Sequence, residues 1–105
     1  MGSVEILRVV HFDPSKTVLA INHYRGNAAH IVVPLGTIIS DVVKLGTAGL
    51  LLSHNHPSGD PTPSRADITA THMLALAAEP LGITVHDHLV IGCGSNVSFR
   101  DVGLL

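Results

Sequence analysis

The sequence predicts an α/β fold in which one mixed sheet carries helices packed against it. Three observations lead there. The apolar residues make up 46% of the chain, are mainly Val, Ile, Leu and Ala, and include few aromatics. That composition suits branched strands covered by helices. Two Val- and Ile-rich segments flank an Asp-Pro turn near the N-terminus, which marks a hairpin. Beyond them, helical spacing alternates with short apolar runs, which gives the order ββαβαββ.

Val4 to Phe12 reads as the first strand. Asp13-Pro14-Ser15-Lys16 is a turn, because proline presets a turn position. Thr17 to Tyr24 returns antiparallel, and Arg25-Gly26-Asn27 ends it. His30 to Val33 is short and apolar and reads as extended. Pro34 then falls near the first turn of a helix. Ile38, Ile39, Val42, Val43 and Leu45 recur at helical spacing, and Gly46 is the stop. Ala48 to Ser53 is a continuous apolar run of strand length, as expected in the middle of a sheet. Ser64 is the N-cap of a second helix, with Asp67 three residues on in a capping box. That helix runs to about Ala78, and Pro80 and Gly82 close it. Ile83 to Ile91 is a strand, Gly92 to Asn96 a turn, and Val97 to Arg100 a last short strand.

At 105 residues the chain is expected to form one domain, over residues 4–105, without repeat or linker. Six Lys and Arg stand against eight Asp and Glu, and no basic run or basic helix face occurs. Direct nucleic-acid binding is weakly supported, since phosphate contacts need clustered cations. Cys93 is the single cysteine, which excludes an internal disulfide and a zinc site of several thiolates. No stretch has the 18 or more apolar residues of a membrane span, and no signal peptide appears. The expectation is a soluble, cytoplasmic protein with no membrane partner.

The chain is organised around Ser53 to Asp67. A strand places residues i and i+2 on one face. If strand geometry continues through His54 and His56, both imidazoles project from the same side, as a pair of metal ligands would. A catalytic zinc takes three protein ligands and keeps one position open. Asp67, in the first turn of the next helix, is the best local third ligand. Prolines 57, 61 and 63 stiffen the loop that brings it back. Two other readings stand beside this one. The capping box needs no metal, and an His-x-His pair at a strand end can be two surface imidazoles. Among the carboxylates Glu5 is unusual, because it opens an apolar strand where a charge is costly unless used or exposed.

His54-x-His56-Pro57, six residues, then Ser64-x-x-Asp67 resembles the JAMM motif of the JAB1/MPN metalloprotease superfamily. The longer run His54-Asn55-His56-Pro57-Ser58-Gly59-Asp60-Pro61-Thr62-Pro63-Ser64 looks like the signature of its RadC-like family. The likeness continues through Leu81-Gly82-Ile83, Asp87 to Gly92, Val97 to Arg100 and Gly103-Leu104-Leu105. It implies a JAB1/MPN-type αβα sandwich on a mixed sheet, similar to cytidine deaminases. It implies one zinc ion on His54, His56 and Asp67, with Glu5 as the base that activates water. Ser64 would assist the developing oxyanion. The implied activity is hydrolysis of a peptide or isopeptide bond in a peptide or protein substrate; homo-oligomers are compatible with it. The chain departs from the family's pattern in three respects. The glutamate stands at position 5, no N-terminal helix-hairpin-helix module is expected in the sequence, and Leu35-Gly36 follows Pro34 where Arg-Glu is usual.

Two rivals are a DNA-repair-associated role and a zinc-stabilised binding module without catalysis. A zinc nucleobase deaminase is excluded, because it needs a Cys-x-x-Cys pair. His86-x-His88 also has strand spacing, but Asp87 points to the other face and no third ligand is evident. His88 is expected to make a structural hydrogen bond. His11, His23, His30 and His72 read as surface or packed imidazoles, Cys93 as a spectator, and Asp60 as a turn residue or part of the substrate-binding loop mouth.

Overall fold

The computed structural model describes residues 4–26 and 33–105. The extended segment expected from His30 falls mostly outside them, as does the environment of His30 itself. The described elements are β1 (Ile6–Phe12), β2 (Val18–Arg25), α1 (Leu35–Leu45), β3 (Gly49–Asn55), α2 (Arg65–Ala78), a 3-10 turn (Glu79–Leu81), β4 (Thr84–Ile91) and β5 (Asn96–Ser98). This is the expected mixed α/β fold. No described helix is long and apolar enough to cross a membrane.

The strands form one sheet in the order β2-β1-β3-β4-β5. β3 and β4 are parallel, and the other neighbours are antiparallel. The β1–β2 turn is closed by Asp13, whose Oδ1 accepts the Ser15 and Thr17 amides at 2.9 Å each. This is an aspartate's usual way of standing in for a backbone acceptor.

Alternation sets one sheet face apolar. Leu7 and Val9 of β1, Leu50 and Leu52 of β3 and Val85 of β4 share a buried cluster with Ile38 and Val42 of α1 and with Leu74 and Ala78 of α2. Both described helices therefore lie against this face. α1 buries only part of its apolar set, since Val43 is 70% exposed. The apolar stripe read from the sequence is wider than the face the sheet covers. Gly46 ends α1 in the left-handed region (φ 69°), its N–H on the Val42 carbonyl.

α2 begins as its sequence dictates. Ser64 is the N-cap, and the capping box with Asp67 is complete. The helix buries Asp67, Thr71, Leu74 and Ala78, a stripe at helical spacing.

β4 departs from simple alternation. Leu50 pairs with Val85 but Leu51 pairs with Asp87, so one residue, His86, is extra. The bulge turns both Val85 and His88 inward and takes His86 off the face of His88. A shared His86/His88 site is thereby removed. The final strand is also shorter than expected. Asp87 accepts the Ser98 hydroxyl and the Arg100 amide, which bends the chain away after Ser98. Phe99 is then buried and stacked on the His88 ring at 4.7 Å.

Candidate metal centre

β3 runs on to Asn55, so strand geometry carries His54 to the sheet's end, and His56 follows immediately. His56 stays tied to the next strand, its N–H on the Ile91 carbonyl at 2.9 Å. The lip loop, residues 57–63, then leads to the start of α2. It packs directly on the β4–β5 turn, where a side chain at Gly92 would put its Cβ 2.4 Å from the Gly59 carbonyl oxygen. Only glycine fits that approach. Cys93 is exposed in the same turn. Its amide donates to Gly59, and its thiol takes no part in the centre.

Three ligand atoms converge. His54 Nε2 is 3.0 Å from His56 Nε2, and Asp67 Oδ2 is 3.4 Å and 3.1 Å from these two nitrogens. Ligands held about 2.0–2.1 Å from a tetrahedral zinc stand about 3.3–3.4 Å apart. The triangle therefore has close to the edge lengths a zinc ion needs. His54 is wholly buried, while the His56 and Asp67 side chains are 12% and 8% exposed.

Proton bookkeeping supports a cation between them. His56 Nδ1 lies 2.8 Å from the Asp60 carbonyl oxygen. A carbonyl only accepts, so Nδ1 carries the hydrogen. On a neutral ring, Nε2 is then bare and faces the Asp67 carboxylate. Two lone pairs at 3.1 Å repel unless a cation lies between them, either a proton on His56 or a metal ion. Asp67 is primed to be the anion. In the metal-free protein, burial pushes its carboxyl up, but hydrogen bonds from His54 and from the Ser64 backbone, with the His54 charge, hold it well below the usual carboxylate range. Two imidazole nitrogens and one carboxylate oxygen form a donor set suited to zinc. These are the three described residues grouped to hold a metal ion.

The capping box and the ligand set share an atom. Asp67 Oδ2, the ligand oxygen, also accepts the Ser64 N–H at 2.8 Å, while Ser64 Oγ accepts the Asp67 N–H at 3.0 Å. The cap and the metal geometry therefore reinforce one another, and the helix start sets the carboxylate's direction.

Behind the triangle lies a second layer. His54 Nδ1 is 2.6 Å from His88 Nε2, and His88 Nδ1 is 2.6 Å from Thr71 Oγ1. Burial and the nearby His54 charge push the His88 pKa down from 6.5 to about 3, so its ring is neutral at neutral pH. The expected structural hydrogen bond of His88 is present. The role of Thr71 is not evident in the sequence by itself. Its one signal is its position four residues after Asp67, on the same helix face.

Glu5 is buried, 6% exposed, just ahead of β1. Leu7 pairs with His54. Glu5 lies two residues ahead of Leu7, beyond the last pair of that ladder. Asn55 fixes the chain there. Its Oδ1 accepts the Ile6 N–H at 2.8 Å and its Nδ2 donates to the Val4 carbonyl at 3.1 Å. The Gly26 amide holds the Glu5 carbonyl at 2.9 Å.

Other candidates fall elsewhere. His11 is buried on Thr47. His72 bonds the Leu104 carbonyl. The Asp60 carboxylate turns onto the Thr62 amide and hydroxyl, as turn chemistry predicts.

The model of the RadC-like JAB domain family matches residues 1–104. A UPF0758 protein of Rhodobacter capsulatus is 45% identical over 102 residues, covering 96% of this chain and 48% of the relative. A second, from Ruegeria pomeroyi, is 41% identical over 102 residues, covering 96% of this chain and 46% of that protein. The chain thus spans about half the length of these curated relatives. With a family match over nearly its whole length, and with the motif residues brought together in space, this chain belongs to the RadC-like JAB domain family.

Proposed function

We propose that the chain is a zinc-dependent hydrolase domain that cleaves an amide bond of the peptide or isopeptide type. The observation that carries this reading is the convergence of His54 Nε2, His56 Nε2 and Asp67 Oδ2 within 3.4 Å of one another. His54, His56 and Asp67 would hold a zinc ion, which would supply a Lewis acid for the scissile carbonyl and lower the pKa of water at the centre to about 7.

The chain's own residues do the rest. Glu5 takes the proton of the attacking water and hands it to the leaving nitrogen. Its burial two residues ahead of Leu7, the partner of His54, together with the Asn55 clamp, supports that role. Ser64 sits exposed at the helix start, where its hydroxyl donates to the developing oxyanion. His54 and His56 are held in place from behind, so the ligand set is organised before substrate arrives.

A protein or peptide substrate is favoured over nucleic acid, because six cations in 105 residues with a net charge of −2 give no phosphate-tracking surface. An exposed free thiol at Cys93 suits a reducing, cytoplasmic setting.

The test is a peptide and isopeptide cleavage screen on the zinc-loaded protein. Cleavage that vanishes in His54→Ala, and falls about 10²- to 10⁴-fold in Glu5→Gln with zinc retained, supports the reading. Full activity in Glu5→Gln refutes the mechanism. Zinc binding with no cleavage of any substrate in the screen favours a zinc-stabilised binding module. DNA cleavage that depends on His54 favours a DNA-repair role.

A further inference from the structure

We infer that His88 and Thr71 are positioning residues for the metal centre, a buried relay that orients His54 and accepts its Nδ1 hydrogen when Nε2 is given to a metal. The inference rests on the metal-centre reading of His54 given above.

The two imidazole ligands are supported differently. His56 Nδ1 donates to a main-chain carbonyl, that of Asp60, which is a common support for a metal-binding histidine. His54 has no such carbonyl. Its Nδ1 meets His88 Nε2 at 2.6 Å, a ring nitrogen that can accept or donate. The hydrogen's place is therefore not fixed by the first contact alone. It depends also on the contact one residue further back, 2.6 Å between His88 Nδ1 and Thr71 Oγ1, where the hydroxyl can accept or donate in turn.

The chain of three can run in two directions. In one, His54 Nδ1–H donates to His88 Nε2, and His88 Nδ1–H donates to the Thr71 hydroxyl. His54 Nε2 then has a free lone pair. In the other, the Thr71 hydroxyl donates to His88 and His88 donates to His54, which leaves the hydrogen on His54 Nε2 where a metal would sit. Only the first direction is compatible with ligation.

The relay is rigid. His54, His88 and Thr71 are 0%, 1% and 0% exposed, so water does not substitute for a lost partner. Phe99 stacks on His88 with ring planes 20° apart, which fixes the ring's tilt. Thr71 lies one helical turn after Asp67 on the buried face of α2. The helix that supplies the oxygen ligand thus also anchors the support of a nitrogen ligand.

The test measures Zn2+ and Co2+ affinity by chelator competition on the full chain. It compares the parent with His54→Ala, His88→Leu, Thr71→Val and Thr71→Ser, and checks folding by circular dichroism. His54→Ala should abolish binding. His88→Leu and Thr71→Val should each weaken it about 10- to 100-fold, and Thr71→Ser should restore it to within about threefold. Histidine 15N NMR of the zinc-loaded parent should show hydrogens on Nδ1 of both His54 and His88. The His88 signal should broaden in Thr71→Val. Because Val is close in shape to Thr, the Thr71 pair decides the matter even if His88→Leu fails to fold. Affinities of folded Thr71→Val within threefold of the parent, with His54→Ala inactive in binding, overturn the relay and leave the metal centre standing. Failure of the parent to bind either metal, or unchanged binding in His54→Ala, overturns the metal-centre reading and the relay with it.

Discussion

Asn55 grips the main chain on both sides of Glu5, accepting from Ile6 at 2.8 Å and donating to Val4 at 3.1 Å. It lies between His54 and His56. The strand end that presents the two imidazoles therefore also fixes the carboxylate proposed as base. Asn55→Ala removes both bonds. At about 0.5–1.5 kcal/mol for each bond, the loss is about 1–3 kcal/mol of stability, measurable by urea unfolding. Zinc affinity should change little, because the imidazoles keep their own supports. Turnover should fall, because Glu5 is no longer held. Zinc titration and cleavage assays on the same variant separate the two effects.

Gly92 carries the lip loop. An added Cβ would lie 2.4 Å from the Gly59 oxygen and within 2.9 Å of Pro61 backbone nitrogen. Those are main-chain atoms, so the loop must move, and the Asp60 carbonyl that orients His56 moves with it. Gly92→Ala should weaken zinc binding about tenfold or more and cost about 1–3 kcal/mol in stability. Isothermal titration and thermal unfolding of the variant check both.

Acid stability should show a histidine signature in the metal-free protein. His88 titrates near 6.5 when unfolded and near 3 when folded. Below pH 6.5 the unfolded chain takes up a proton that the folded chain refuses, so stability falls as pH falls. Between about pH 7 and 5 this one residue accounts for on the order of 2 kcal/mol. His11, lowered by burial although Asp41 opposes the shift, adds in the same direction. Asp67 acts in another window. Its folded pKa is depressed, so its contribution is intact above about pH 4 and is lost only as pH falls further. Urea midpoints across pH 4 to 7 in chelator should decline steadily from neutrality, and a flat profile down to pH 5 would contradict neutral burial of His88.

Much of the centre is legible in the sequence, because it is built from local rules. Strand alternation sends His54 and His56 the same way, and the Ser64/Asp67 box fixes the helix start, with Asp67 four residues before Thr71. The β4 bulge is not legible. One extra residue at His86 leaves no mark in composition, yet it decides that Val85 and His88 turn inward together. The Asn55 clamp is not legible either, because its bonds span 49 and 51 positions and depend on the register of β1 against β3. Val97 to Arg100 reads as strand by propensity, but the Asp87 carboxylate captures the Ser98 hydroxyl and the Arg100 amide and bends the chain after Ser98. Val43 shows the converse, since its spacing is helical but no sheet surface lies in front of it.

The most direct measurement is metal content by elemental analysis after zinc loading and desalting, in the parent and in His54→Ala, His56→Ala and Asp67→Asn. The geometry predicts one zinc ion per parent chain and a near-complete loss in each variant. A parent that retains no zinc, or a His54→Ala protein that retains as much as the parent, would contradict the assignment of His54, His56 and Asp67 as the metal ligands.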